Sequence, residues 1–170
     1  MRPWVEVSPL SAVPGIYSAF LWNNVGFTLW FGPATLESLR SYEAACRDCI
    51  AAQPGKLSSV HILVPGSSQL PSPEVRAKLA ELTREFGHTS AAMAVMIPGN
   101  GFWASALRGL VTAIHLVGSR EYETKIFGTI EEIAAWLPEA QRKRSGIEIS
   151  SAQLLTALRQ VLREAESVAA

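Results

Sequence analysis

The sequence has few charged residues, only two cysteines and no long uninterrupted apolar run. Acidic and basic residues balance at 15 each, so no bulk charge favours binding to nucleic acid or to an anionic membrane. Two cysteines are too few for a disulfide-rich secreted scaffold. The most apolar region, residues 91–117, is broken by Pro-Gly-Asn-Gly and Arg108, which argues against a transmembrane span. The N-terminal residues lack the apolar core of a signal peptide, so a cytoplasmic location is expected.

The sequence also lacks the usual spacings of catalytic and cofactor sites. It contains no G-x-S-x-G, no H-E-x-x-H and no phosphate-binding loop with its lysine. His61, His88 and His115 fall on three different predicted elements. Cys46 and Cys49 form a C-x-x-C pair deep inside a predicted helix, without the second pair that a zinc site needs, and are predicted to be core residues. We therefore expect no enzymatic activity, no cofactor and no metal.

What the sequence does contain is a strong alternation of apolar strands and amphipathic helices. A hydrophobic content of 48% over 170 residues is typical of one globular domain with a sizeable core. Residues 16–22 and 25–31 flank Asn23-Asn24 and predict a hairpin, and residues 5–7 are a possible edge strand. The later elements are predicted as helices at 35–52, 73–86, 102–117 and 129–137 and strands at 60–64, 91–97 and 125–127. This order predicts an α/β fold with a largely parallel sheet and an antiparallel edge.

The C-terminal part reads as a separate helix. Pro138 is predicted to end the preceding helix, and the polar residues 138–149 are predicted to be a linker between a domain at 1–137 and a helix at 150–170. Ser150 and Gln153 form a capping box at the start of that helix. Its apolar stripe, which includes Leu158, predicts packing either on its own domain or on a second subunit.

Four motifs together resemble the SpoIIAA-like branch of the STAS superfamily. They are GFTLWFGPATLESL, VHILVP, SPEVRAKLAEL and KIFGTIEEIAAWL, and the resemblance covers about residues 25–137. It implies a four- or five-stranded mixed sheet with helices mainly on one face. It also implies a non-enzymatic role, either binding of a protein partner or, in some branches, of a small apolar ligand.

The same resemblance draws attention to Ser72. STAS proteins of the anti-sigma antagonist type are phosphorylated on a serine in an Asp-Ser-Ser-Gly context at the start of the second helix, and Ser72 aligns with that serine. Here Pro71 replaces the aspartate and Glu74 the glycine. The residues themselves predict a helix N-cap, because serine before a proline at the first helical position caps the helix. Ser72 is therefore both a predicted cap and a candidate phosphosite.

The segment 99–104, GNGFWA, formally fits a dinucleotide-binding turn, but it comes late in the chain and predicts only a tight turn into a helix. Its aromatic residues Phe102 and Trp103, with Leu158, are the candidate partner- or ligand-contact residues. We expect a non-catalytic domain that acts through protein–protein contacts, for example in bacterial signalling or regulation, and as a homodimer. The alternative is a binder or sensor of a small apolar ligand or lipid, since five tryptophans and six phenylalanines are available to line a cavity.

Overall fold

The computed structural model describes residues 6–65, 70–118 and 121–169, and of these only residues 168 and 169 are described as backbone alone. Within these residues the chain is an α/β fold of six strands and five α-helices. In chain order they are β1 (Ser8–Val13), β2 (Tyr17–Trp22), β3 (Val25–Trp30), α1 (Leu36–Ala52), β4 (Leu57–Leu63), α2 (Pro73–Glu85), β5 (Ser90–Met96), α3 (Phe102–Gly118), β6 (Glu123–Phe127), α4 (Ile130–Ser145) and α5 (Ser151–Ala169).

The strands form one mixed sheet in which spatial order follows chain order. Strands β1, β2 and β3 pair antiparallel, and β3 to β6 pair parallel. The predicted hairpin is confirmed, and Asn23 takes the left-handed conformation (φ 49°) that the tight turn requires. The four or five strands that the resemblance implies become six, because Ser8–Val13 forms an edge strand that pairs with β2, with a shift of register between Pro9 and Ser11. The possible edge strand at residues 5–7 thus lies a few residues later in the chain.

Helices α1, α2 and α3 lie on one face of the sheet and α4 and α5 on the other. The first three each connect two parallel neighbours while the sheet advances in one direction, and right-handed crossovers then place all three on the same face. The helices are thus divided three to two between the faces, where the resemblance implied that most would lie on one.

The face under α4 and α5 carries the main hydrophobic core. Strand residues such as Phe27 and Ile62 pack against helix residues such as Leu137 and Leu158, and all four are almost completely shielded from solvent. Side chains this well enclosed contribute about 1.5–3 kcal/mol each relative to exposure. This core therefore anchors both C-terminal helices to the sheet.

Most of the segment predicted to be a linker, residues 138–149, is helical in the structure, because α4 continues through Pro138 to Ser145. Proline removes one helical hydrogen bond, but Leu137 and Ala140 on either side of it are buried in the core, and that packing outweighs the local preference. Gln141 is also buried, and its side chain hydrogen-bonds the hydroxyl of Ser58 in β4. The helix ends at Gly146, whose positive φ of 71° is the usual C-terminal signal.

Helix α5 packs within its own chain, against α4 and strands β2 and β3. Leu158 has no accessible surface in this position, and neither do Leu154 and Val161 on the same stripe. Of the two alternatives that the stripe allowed, the structure shows packing on the parent domain. Leu158 is therefore a core residue, and a partner cannot touch it while α5 stays in place.

Candidate functional site

The opposite face of the sheet is not closed in the same way, because a cavity of about 280 Å³ separates it from helices α1, α2 and α3. An apolar cavity of roughly 150 Å³ holds one benzene molecule, so by proportion this one has room for about a dozen non-hydrogen atoms. The volume lies near the lower end of ligand pockets, which span about 300–1,000 Å³. The chain therefore has space for a small molecule between the sheet and these helices, in a cavity that is partly open to solvent.

The floor of the cavity comes from the period-two alternation of the central strands. In β3, Phe27 and Leu29 face the packed core, so Thr28 and Trp30 face the cavity. The flanking β4 follows the same rule, and its cavity-facing residues are Ser59, His61 and Leu63. Both strands thus present a mainly apolar face to one side, with Ser58 as its polar exception, and a mixed polar and aromatic face to the other.

The walls are the apolar stripes of the three helices. These side chains remain half-buried although they face the sheet, in contrast to the core residues of α4 and α5. The half-buried wall residues include Tyr42 and Cys46 of α1, Leu79 of α2, and Leu107, Leu110 and Ile114 of α3. Each of them keeps some accessible surface, and each lines the cavity.

A small polar cluster sits on this floor and wall. The indole Nε1 of Trp30 donates a hydrogen bond to Nδ1 of His61 over 3.3 Å, and the two rings stack. The ring of Tyr42 lies against both, with centroid distances of 5.8 Å to Trp30 and 6.1 Å to His61. The Tyr42 hydroxyl interacts with Cys46 and Thr28. Three elements of the fold, β3, β4 and α1, thus contribute to one connected group inside the cavity.

Burial holds these groups in their neutral forms. Desolvation, with a smaller contribution from His115, lowers the pKa of His61 to about 4. Burial raises the pKa of the Tyr42 hydroxyl well above its ordinary value and raises that of the Cys46 thiol to about 11. At neutral pH the cluster therefore offers no thiolate and no strong base, which makes it a poor nucleophilic or general-base site and a suitable surface for a neutral ligand.

A second polar group lies at the β6 end of the cavity. His115 of α3 contacts the Thr124 hydroxyl through Nε2 at 2.8 Å and the sulfur of Met93 at 3.1 Å. The ring of Tyr122 packs edge-on against His115. Two of the three histidines thus line the cavity, whereas His88 is exposed on a short helical turn after α2.

Ion pairs connect α1 and α2 above the cavity. Lys78 of α2 lies 2.8 Å from a carboxylate oxygen of Glu43 in α1, and Arg47 of α1 bridges Glu43 and Glu85. These partners lower the pKa of Glu43, through hydrogen bonds from Lys78 first and Arg47 second. The charges stay on the outside, and the cavity lining itself contains no Asp, Glu, Lys or Arg among the described residues.

The residues selected from the sequence do not come together. Ser72 caps α2, its hydroxyl accepting from the backbone N–H of Val75 at 3.3 Å, and it is exposed. Phe102 and Trp103 lie at the start of α3 with exposures of 83% and 49%. They contact each other edge to face and are not among the residues that line the cavity. Leu158 lies in the core on the far side of the sheet.

Sequence reasoning raised a cavity only in the alternative of apolar-ligand binding, and it identified neither the position of the cavity nor its polar cluster. The signal was present in β4, where Ser59 and His61 alternate with Val60 and Ile62. Taken as a period-two pattern, it predicts one apolar face and one mixed face for this buried strand. The strand predicted at 60–64 begins after Ser59, so that His61 is the single polar residue within its bounds and the alternation is not apparent.

Comparison with known proteins gives no assignment: no family model matches the sequence, and no curated protein matches it significantly. Across the described ranges, no group of histidine, cysteine or acidic side chains is arranged to hold a metal ion. The helices in those ranges are all too short or too polar to cross a bilayer. The function must therefore be argued from the cavity itself.

Proposed function

We propose that the chain binds a small, mostly apolar molecule in the cavity between the sheet and helices α1, α2 and α3. The observation that carries the proposal is the difference between the two faces of one sheet. The central side chains under α4 and α5 have little or no accessible surface, whereas the opposite face carries a cavity of about 280 Å³ with a largely apolar lining. Protein interiors are normally close-packed, so an apolar space of this size favours a binding role.

This proposal reverses the order that the sequence alone favours, in which protein interaction comes before ligand binding. The neutral state of His61, Tyr42 and Cys46 supports binding over catalysis. A SpoIIAA-like STAS relationship, as the motifs suggest, is compatible with either role. We take the chain to be a carrier or sensor rather than an enzyme.

Native mass spectrometry of protein purified without detergent tests this function. We expect a complex with one bound molecule, either co-purified or formed by adding a small alkylbenzene such as isopentylbenzene, which has about the size that the cavity accepts. Loss of the adduct on denaturation shows that it is non-covalent. A protein that carries nothing and binds no apolar probe at saturating concentration contradicts the proposal.

A second candidate function is self-association through the outer face of α3. Phe102, Leu116 and Val117 are 83%, 64% and 71% exposed, an unusual number of large apolar side chains for one helix. A homodimer that buries this face is the corresponding structure. Light scattering over a range of concentrations tests it: the wild type is expected to dimerise and Val117→Lys to remain monomeric, and equal masses for both exclude this face as the interface.

A further inference from the structure

The polar cluster restricts what the cavity can bind, and its key atom is the second ring nitrogen of His61. An indole N–H can only donate, so Nδ1 of His61, which receives the bond from Trp30, carries no proton. A neutral imidazole then has its proton on Nε2. The contact with Trp30 thus fixes the tautomer and makes Nε2–H a hydrogen-bond donor.

That donor is free to meet a ligand. Among the described residues, the structure gives Nε2 of His61 no hydrogen-bond partner, yet no side-chain polar atom is both fully buried and unsatisfied. Nε2 is therefore accessible, and since His61 lines the cavity and is otherwise surrounded by protein, that access is from the cavity. A polar atom in such a position favours a ligand that can satisfy it.

The charge of the ligand is restricted by the rest of the lining. None of its described residues carries a formal charge at neutral pH, so a carboxylate or ammonium group would lose its hydration without gaining a counter-ion. An uncharged acceptor such as a ketone, ester or ether oxygen carries no such cost. The remaining contacts, from side chains such as Leu79 and Leu110, suit a hydrocarbon body.

We infer that the ligand is an uncharged, largely apolar molecule of about a dozen non-hydrogen atoms with one acceptor oxygen, bound by the Nε2–H of His61. This rests on the proposed binding function and deepens it. Trp30 is then a positioning residue, because it holds the imidazole in the donating tautomer without contacting the acceptor itself.

Three probes with equal numbers of non-hydrogen atoms distinguish a ligand with a neutral acceptor oxygen from a pure hydrocarbon and from an anion. Benzylacetone carries a ketone, isopentylbenzene replaces the ketone oxygen with a methyl group, and hydrocinnamate carries a carboxylate. We expect the ratio of ketone to hydrocarbon affinity, measured by calorimetry, to fall about two- to tenfold in His61→Leu, as loss of one net hydrogen bond implies. In the control His88→Leu, which changes an exposed histidine, the ratio stays as in the wild type.

Hydrocinnamate is expected to bind at least about tenfold more weakly than benzylacetone at pH 7.5, because its charge is not compensated. A ratio that is unchanged in His61→Leu, or a preference for the carboxylate, overturns the inference while leaving apolar binding intact. Failure of all three probes to bind contradicts the proposed function instead.

Nitrogen NMR of the wild-type imidazole gives an independent measurement that does not depend on the variant folding. The account predicts that the proton of His61 is on Nε2, and that its resonance shifts on addition of benzylacetone but not of isopentylbenzene. A proton on Nδ1, or equal shifts with both probes, overturns the assignment of His61 as the donor.

Discussion

Truncation of one leucine on each face of the sheet measures the packing difference on which the cavity rests. Leu158→Ala alters α5 on the packed face, and Leu110→Ala alters α3 on the cavity face. Both residues lie on helices and both changes remove the same atoms, so helix propensity and side-chain chemistry cancel in the comparison.

The expected magnitudes follow from the surroundings of each side chain. Leu158 has no accessible surface, so its removal loses the full transfer free energy and leaves a new void; such changes cost about 3–5 kcal/mol. Leu110 is half-buried and borders space that already exists, so it loses only part of the transfer free energy. We expect about 1 kcal/mol or less at that position.

Equilibrium urea unfolding, followed by circular dichroism, gives the free energy of unfolding of each variant. Both data sets are fitted with the same dependence of that free energy on urea concentration. We expect the free energy of unfolding to fall by at least about 2 kcal/mol more in Leu158→Ala than in Leu110→Ala. Equal losses would mean that the two faces are packed alike, and the cavity would then be occupied by protein atoms in solution. If Leu158→Ala lowers the free energy of unfolding only slightly, whatever the result for Leu110→Ala, then α5 does not pack in its own domain.

The remaining predictions concern polar groups. The pKa of His61 is about 4 in the folded chain, below the ordinary 6.5, so the unfolded chain takes up the proton first as the pH falls. The free energy of unfolding is therefore expected to be highest above pH 6.5 and to fall by up to about 3 kcal/mol towards pH 4. Urea titrations at several pH values measure this fall, and His61→Leu is expected to lack the contribution of His61. His115, whose pKa is also lowered by burial, adds to the fall in both proteins. Gln141→Ala leaves the buried Ser58 hydroxyl without its side-chain partner and is expected to lower the free energy of unfolding by about 1–3 kcal/mol. Adding Ser58→Ala in a double variant is expected to restore part of this loss. If the losses of the two single variants simply add in the double variant, the two side chains are not coupled. Glu43→Gln removes ion pairs that are partly exposed to solvent, and it is expected to cost under about 1 kcal/mol at low salt and less at high salt. A larger, salt-independent loss would show that the carboxylate has another role.

The strand and helix order was predictable because it depends on local patterns. The Asn23-Asn24 turn, the Ser72 cap and the parallel succession after β3 all depend on residues close in sequence. The continuation of α4 through Pro138 was not predictable in the same way, because it depends on the burial of Leu137 against strands far away in the chain.

The cavity was beyond sequence reasoning for a related reason. The stripes of α1, α2 and α3 predict which residues face the sheet, but not how far the helices stand from it. That distance depends on how side chains such as Trp30 and Tyr42 pack together across elements. The aromatic cluster also selects the tautomer of His61, which no local pattern encodes.

Filling the cavity from inside tests the central claim most directly. Cys46 lines the cavity in the middle of α1, and Ala44 is exposed on the same helix. Calorimetric titration with isopentylbenzene is expected to show saturable one-to-one binding to the wild type and to Ala44→Trp, and no binding to a folded Cys46→Trp. Equal binding to all three proteins would place the ligand elsewhere and contradict the account.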